Sequence, residues 1–239
     1  MTSAPDVTWT RADGSSVPGY SCGADDATAG LIVIQEWWGV TPQILAQSKQ
    51  LSEYGYKCLV PDLYRGKLGV DAEEAGHLMN NLDWAMAVED LKGAAKYLKE
   101  TLGMKKVGVV GFCMGGALSL ASGTLFCDLV DCVVAFYGTP AAELCNVENM
   151  SCPAMGHFGE DDGLKGFSDK ERVAKLKEEL AKSGKEYVVH SYPGVGHAFM
   201  NDMPEMREKV KDLGFGDYKS DVAVLAWDRT KEFFAKYLQ

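Results

Sequence analysis

The chain lacks the features that mark several classes of protein. No apolar run in its 239 residues approaches the length of a membrane-spanning helix. Basic residues are also scarce, since 24 Lys and Arg stand against 34 Asp and Glu and leave a formal net charge of −10. Nucleic-acid phosphates repel so acidic a chain. We therefore expect neither a membrane nor a nucleic-acid partner.

Export and metal-binding signals are missing as well. Residues 1–6 have neither the basic start nor the apolar core of a secretory signal peptide. The seven cysteines include no C-x-x-C pair, and the cysteines and four histidines do not cluster at the spacing of metal ligands. We expect a cytoplasmic protein with reduced thiols and with no metal or cofactor.

What is present predicts one α/β domain over residues 1–239. A hydrophobic fraction of 46% supplies a large core. After a hairpin around Asp13-Gly14, buried strands alternate with helices, and the strands are predicted at 29–36, 57–61, from Lys106, 131–137, 153–159 and 186–192. Parallel neighbours need crossover connections, so this order predicts a mainly parallel sheet covered by helices on both faces.

Capping signals place several of the helices. Thr41-Pro42 starts one, and Ser168 with Glu171 forms a capping box for another. The polar segment 71–83 is a weaker helix candidate that could cover the site. A closing helix at 220–238 has an apolar side, predicted to contain Val222, Leu225, Phe233, Phe234 and Tyr237.

The chemistry is centred on Gly111-Phe112-Cys113-Met114-Gly115, which follows a strand and opens a helix. This is the G-x-S-x-G nucleophile elbow with Cys in place of Ser, in which the two glycines avoid clashes at a sharp turn. The helix N-terminus would favour a thiolate on Cys113. The alternative is a buried structural cysteine beside a tight turn.

A cysteine nucleophile needs a base and a group that orients the base. His197 follows the last strand on a glycine-rich loop, in the chain order nucleophile, acid, base, so it is the candidate base. The acidic loop after Gly159 lies between them and supplies Asp162 or Asp161 as the acid. We favour Asp162.

Further groups follow the early strand at 29–36. Glu36 could accept the thiol proton, keep the resting sulfur neutral, or only cap the strand end. The backbone N–H groups of Trp37 and Met114 are placed to form an oxyanion hole. Aromatic residues are candidates to line an apolar substrate pocket, or equally to belong to the core, namely Trp37, Trp38, Tyr64 and Tyr137.

These motifs together resemble the dienelactone hydrolase (carboxymethylenebutenolidase) family of α/β-hydrolases. The resemblance covers about residues 7–238 and is carried by the segments Gln35-Glu36-Trp37-Trp38-Gly39, Pro61-Asp62-Leu63-Tyr64, Gly111–Gly116, Phe136-Tyr137-Gly138, Gly159-Glu160-Asp161-Asp162 and Gly196-His197-Ala198-Phe199. It implies the α/β-hydrolase fold and a Cys113–His197–Asp162 triad with Glu36. It also implies opening of a lactone or ester through a thioester acyl-enzyme.

The chain departs from the family at the site that holds an anionic substrate. Members that open dienelactone hold its carboxylate with arginine and tyrosine, whereas here 71–83 contains neither and Met200-Asn201 follows Phe199. Without Arg65 or Lys67 as a substitute, an anionic lactone should bind weakly. The competing hypothesis is a ligand-binding or regulatory protein on the same fold with a vestigial triad. Either would be a monomer or a homodimer.

Overall fold

The computed structural model describes residues 4–239, which form one eight-stranded sheet in the order β1-β2-β4-β3-β5-β6-β7-β8. The strands are β1 Val7–Thr10, β2 Ser16–Cys22, β3 Ala29–Ile34, β4 Lys57–Pro61, β5 Lys106–Phe112, β6 Cys132–Phe136, β7 Ala154–Gly159 and β8 Tyr187–Tyr192. The strand bounds agree with the sequence prediction to within a residue or two.

The helices are α1 Pro42–Ser52, α2 Ala72–Asn80, α3 Trp84–Lys96, α4 Met114–Leu125, α5 Lys170–Lys182, α6 Pro204–Asp212 and α7 Ser220–Leu238. A π-helical turn, Tyr97–Thr101, extends α3. Thr41 caps α1 as predicted, since its side chain accepts a hydrogen bond from the Ile44 N–H. Within the described residues, no helix is both long and apolar enough to cross a membrane.

Six neighbouring strands are parallel, and the opening hairpin adds two strands through antiparallel pairing. β1 pairs with β2, and β2 pairs with β4, in antiparallel register, while β4, β3, β5, β6, β7 and β8 run parallel. The central strands β3 and β6 are buried at every residue. Helices on both faces cover them, which produces two core layers. This confirms the predicted α/β-hydrolase fold and places the carboxyl ends of six strands at one edge.

Three helical details differ from the sequence prediction. The buried side of α7 contains Ala226, Trp227 and Thr230, whereas Leu225 is exposed. Helix α6 was not predicted, although a proline at its first position is a usual start signal. Ser168 does not cap α5, because its hydroxyl is turned toward the site instead.

Candidate active site

Cys113 lies between β5 and α4 with an unusual backbone conformation, φ 55° and ψ −118°. Such a conformation costs on the order of 1–3 kcal/mol for a non-glycine residue. Neighbouring glycines make the turn possible. A Cβ on Gly111 would lie 2.1 Å from the carbonyl oxygen of Gly115, and one on Gly115 would lie 2.5 Å from that of Ile34. The elbow therefore has the strained, closely packed geometry that its sequence predicts.

Two backbone N–H groups that follow β3 and the elbow donate to no backbone carbonyl among residues 4–239. Met114 is the first residue of α4, where an N–H has no partner inside the helix. Trp37 follows β3 in a tight turn. Neither its N–H nor that of Met114 donates to a backbone carbonyl in the described part of the chain. Each of these N–H groups therefore remains free to donate to another acceptor.

His197 is buried and is oriented through Nδ1. Its Nδ1 lies 2.8 Å from Asp162 Oδ2, and the other Asp162 oxygen accepts the N–H of Leu164 at 3.0 Å. Of the two candidate acids, Asp162 therefore contacts the imidazole, whereas Asp161 is exposed. The Ser168 hydroxyl is a second neighbour of Nδ1, at 3.2 Å. Sequence reasoning missed this contact because it assigned Ser168 to a helix cap.

The loops after β7 and β8 bring the acid and the imidazole together. The Asp161 N–H donates to the Val195 carbonyl at 3.0 Å. A Cβ on Gly159 would lie 2.3 Å from that same oxygen, and one on Gly196 would lie 2.1 Å from the Phe215 oxygen. Only glycine permits these approaches. These two glycines therefore let the loops pack closely against each other.

Nε2 of His197 is buried and has no hydrogen-bond partner at standard geometry among the described residues. The Cys113 sulfur nevertheless acts on the ring. Burial by itself lowers the pKa of His197, but the charge of Cys113 and hydrogen bonds with Asp162 and Cys113 outweigh it and raise the pKa to about 10. The arrangement therefore favours a protonated His197 ring at neutral pH.

Glu36 is buried in a cradle of neutral donors. Its Oε1 accepts hydrogen bonds from the Tyr137 hydroxyl and from Asn201 Nδ2, both at 3.0 Å, and its Oε2 lies 3.2 Å from the same Asn201 nitrogen. Burial raises the pKa of Glu36, although these donors and the charge of His197 oppose the shift. No hydrogen bond joins Glu36 to Cys113 within the described residues. The carboxyl therefore interacts electrostatically with His197, and its hydrogen bonds are to Tyr137 and Asn201.

A cavity of about 700 Å³ opens over Cys113 and His197. Its walls are mostly apolar and come from segments far apart in the chain, with the lining residues including Trp37, Met79, Trp84, Leu144, Leu164, Phe167 and Phe215. Glu143 and Lys165 are also among the lining residues and carry opposite charges. Helix α2, predicted as a cover for the site, contributes Met79.

The other predicted pocket residues do not line this cavity. Trp38 packs with Ala75 and Met206 in a separate cluster. Tyr64 is buried with its hydroxyl 3.2 Å from the Met114 sulfur. The Tyr137 hydroxyl donates its hydrogen bond to the Glu36 carboxylate. All three are buried, and of the four aromatic residues only Trp37 lines the cavity.

Comparisons with known proteins identify the family of the chain. The family model described as the dienelactone hydrolase family matches residues 17–238. The chain belongs to the dienelactone hydrolase family. It is 35% identical to the protein usf of Aquifex pyrophilus, over 95% of this chain and 96% of that one. It is 31% identical to carboxymethylenebutenolidase 1 of Cupriavidus pinatubonensis, over 73% of this chain and 76% of the other.

Solved structures show the same fold. The chain is similar to a dienelactone hydrolase-like promiscuous phosphotriesterase from metagenomic libraries, with a TM-score of 0.81, 18% identity and coverage of 99% of this chain and 100% of that one. It is also similar to a dienelactone hydrolase from Anabaena variabilis, with a TM-score of 0.69, 18% identity and coverage of 100% and 99%.

Within this dienelactone hydrolase fold, the basic residues near the strand ends are not arranged as an anion clamp. Arg65 is bound to Asp90, with 2.6 Å between its Nη2 and Oδ2, and it donates from Nη1 to the Asp62 carbonyl. Lys67 does not line the cavity. Lys165 does, but it shares the cavity with the acidic Glu143.

Proposed function

We propose that the chain hydrolyses neutral carboxylic esters or lactones through a thioester on Cys113. The observation that carries this proposal is the position of His197. Its Nδ1 is fixed 2.8 Å from Asp162 Oδ2, its Nε2 has no hydrogen-bond partner at standard geometry among residues 4–239, and His197 and Cys113 both line one mostly apolar cavity. This is the relation between nucleophile, base and orienting acid that acyl transfer requires.

In the acylation step, the Cys113 thiolate attacks the carbonyl carbon of the ester or lactone. The carbonyl oxygen becomes an oxyanion, and the N–H groups of Trp37 and Met114 donate hydrogen bonds to it. Losing one such donor costs about 3–4 kcal/mol of barrier stabilisation. His197 then gives its Nε2 proton to the leaving alkoxide as the carbon–oxygen bond breaks. A lactone ring opens without losing a fragment.

Acylation prepares the second step by changing the electrostatics. A thioester sulfur carries no charge, so the interaction that raises the pKa of His197 most is removed. The pKa of the buried imidazole then falls, and the neutral ring can accept a proton from water. That water attacks the thioester carbonyl, and the thiolate leaves. The charge on Cys113 therefore switches His197 from acid to base.

We assign Glu36 to activation of the thiol. Its carboxylate and the His197 imidazolium attract each other, and the attraction favours the protonated imidazole that accompanies a thiolate. Tyr137 and Asn201 hold the carboxyl in place. Because both donors are neutral, Glu36 is not bound as the partner of a fixed cation, and it can also hold a proton when the sulfur is at rest.

The substrate class follows from the cavity. Its walls are apolar, and its two exposed charges, Glu143 and Lys165, have opposite signs, so a carboxylate-bearing lactone gains little net attraction. An aromatic or alkyl ester buries apolar surface against Trp84, Leu144 and Phe167. We propose a preference for neutral over anionic substrates.

The test is intact-protein mass spectrometry after rapid mixing with p-nitrophenyl acetate and, separately, a neutral butenolide. The native chain should show an acyl adduct on Cys113, and Cys113→Ala should show none. A neutral lactone should be turned over with a higher kcat/KM than its carboxylate-bearing analogue. If no ester or lactone acylates Cys113, the chain is a ligand-binding protein and the proposal is wrong.

A further inference from the structure

Two cysteines lie opposite each other at the far edge of the sheet from Cys113. Cys22 is the last residue of β2 and Cys58 the second residue of β4, and they are direct cross-strand partners in the antiparallel register. Directly opposed antiparallel residues have Cα atoms about 4.5–5.5 Å apart. Disulfides need about 4.4–6.8 Å. The backbone therefore already holds the spacing of a disulfide, with both side chains on one face of the sheet.

The surroundings distinguish the two thiols. Cys22 is partly exposed, and its sulfur lies 3.1 Å from the Ser48 hydroxyl, whereas Cys58 is fully buried. The neighbouring Cys58 thiol is the largest influence on Cys22 and, with Ser48, Ser52 and the charge of Lys57, outweighs burial and lowers the pKa of Cys22 to about 6. The Cys58 sulfur itself lies 3.9 Å from the Tyr56 carbonyl oxygen. Burial raises the pKa of Cys58 well above its ordinary value. Cys22 is therefore the partly exposed nucleophile, and Cys58 is the buried thiol opposite it.

We propose that Cys22 and Cys58 form a peroxide-oxidisable dithiol, a modification site separate from the hydrolase centre. In the first step, the Cys22 thiolate attacks one oxygen of hydrogen peroxide. The oxygen–oxygen bond breaks, Cys22 becomes a sulfenic acid, and the departing hydroxide is protonated to water. Cys58 is then in position to attack the Cys22 sulfur.

In the second step, the Cys58 sulfur loses its proton and forms the S–S bond, while the S–O bond of Cys22 breaks and the hydroxyl leaves as water with that proton. Overall, two thiols lose two electrons and two hydrogens, and one peroxide is reduced to two waters. The product links β2 to β4 near the amino end of β4. Cys113 lies at the opposite, carboxyl edge of the sheet, so the linkage does not use any group of the proposed hydrolase site.

The experiment treats the native full-length chain with hydrogen peroxide, blocks the remaining thiols with iodoacetamide, and maps peptides without reduction. We expect a peptide pair joined through Cys22 and Cys58 that dithiothreitol separates. Cys127→Ser removes an exposed lone cysteine and is the matched control, so it should give the same linked pair. Cys22→Ser should leave Cys58 as a free thiol while keeping the native rate of ester hydrolysis.

The Cys58→Ser variant adds an independent readout, because its oxidation should stop at a Cys22 sulfenic acid that dimedone traps. If that buried substitution prevents folding, the linked peptide in the native chain still decides the question. Recovery of Cys22 and Cys58 as free thiols under conditions that oxidise Cys127 or Cys113 would overturn the proposal. So would a disulfide between Cys22 and any other cysteine.

Discussion

Two buried histidines of this chain, His157 and His197, show how neighbours decide the charge of an imidazole. His157 lies in β7, with Nδ1 2.8 Å from the Tyr192 hydroxyl and Nε2 3.1 Å from that of Thr230. Burial, and then repulsion by neighbouring positive groups, lowers its pKa well below the ordinary value. His197 is equally buried but faces a carboxylate and a sulfur, and its pKa rises to about 10. Burial alone keeps a ring neutral, and only anionic neighbours reverse that preference.

The largest expected effect on kcat comes from substitution of His197, and the same substitution at His157 should have little effect on kcat. His197→Gln should lower kcat for a neutral ester by about 10⁴-fold or more, because both proton transfers are lost. His157→Gln should keep kcat within a few-fold but lower the free energy of unfolding by about 1–3 kcal/mol, since buried hydroxyls lose partners. Steady-state kinetics and urea unfolding measure both. Similar kinetic losses in the two variants would contradict the assignment of the base.

Asp162→Asn should have the next largest effect, a loss in kcat of about 10³-fold or more, because an amide no longer stabilises the imidazolium or fixes its tautomer. Asp161→Asn is the matched control. It removes the same charge one residue away, from an exposed side chain, and should leave kcat nearly unchanged. Equal losses in the two variants would show that the loop, rather than the contact with Nδ1, is responsible.

Glu36→Gln should lower kcat by roughly tenfold with little change in KM, since the carboxylate assists ionisation rather than binding. It should also stabilise the fold at pH 8. The pKa of Glu36 is raised in the folded state, so the native carboxyl loses stability as pH rises from the unfolded value toward the folded one. The urea midpoint of the variant should exceed the native midpoint at pH 8 and approach it near pH 4.

Glu143→Gln serves as the control for this pH dependence. It removes the same charge from an exposed residue in the cavity lining. Its urea midpoint should follow that of the native chain at both pH values. A Glu36→Gln variant that is no more stable than the native chain at pH 8, with unchanged kcat, would remove Glu36 from the mechanism.

Ser168→Ala should have the smallest effect. The hydroxyl is a neutral second partner of Nδ1, and a neutral hydrogen bond contributes about 0.5–1.5 kcal/mol, which corresponds to a two- to tenfold change. The fall in kcat should therefore be far smaller than that of Asp162→Asn. A loss as large as that of Asp162→Asn would mean that Ser168, and not the carboxylate, orients the imidazole.

The strands and the elbow could be predicted from the sequence because local patterns determine their structure. The valine-rich run before Gly111, the proline after Thr41 and the glycines around Cys113 each impose their conformation on their own segment, so the strands and the elbow could be predicted. Chain order also predicted that the acid lies in the loop after Gly159, although it left both Asp161 and Asp162 as candidates. These features depend on neighbours within a few residues or on the regular topology of a parallel sheet.

What could not be predicted depends on contacts between distant segments. Ser168 has the sequence pattern of a helix N-cap, but its hydroxyl lies within hydrogen-bond distance of His197, 29 residues later in the chain. Trp38 and Tyr64 have pocket-like chemistry, yet loops from elsewhere line the cavity and leave both in the core. The cradle of Glu36 joins residues 101 and 165 positions away. No local periodicity encodes such pairings.

The most direct test of the account is a ¹⁵N NMR titration of the histidine side chains in the native chain and in Cys113→Ala. In the native chain, His197 should stay protonated until about pH 10, while His157 stays neutral throughout. In Cys113→Ala, the pKa of His197 should fall by several units, because the charge that raises it most is gone. A His197 that titrates at the same pH in both proteins would contradict the thiolate–imidazolium pair on which the mechanism rests.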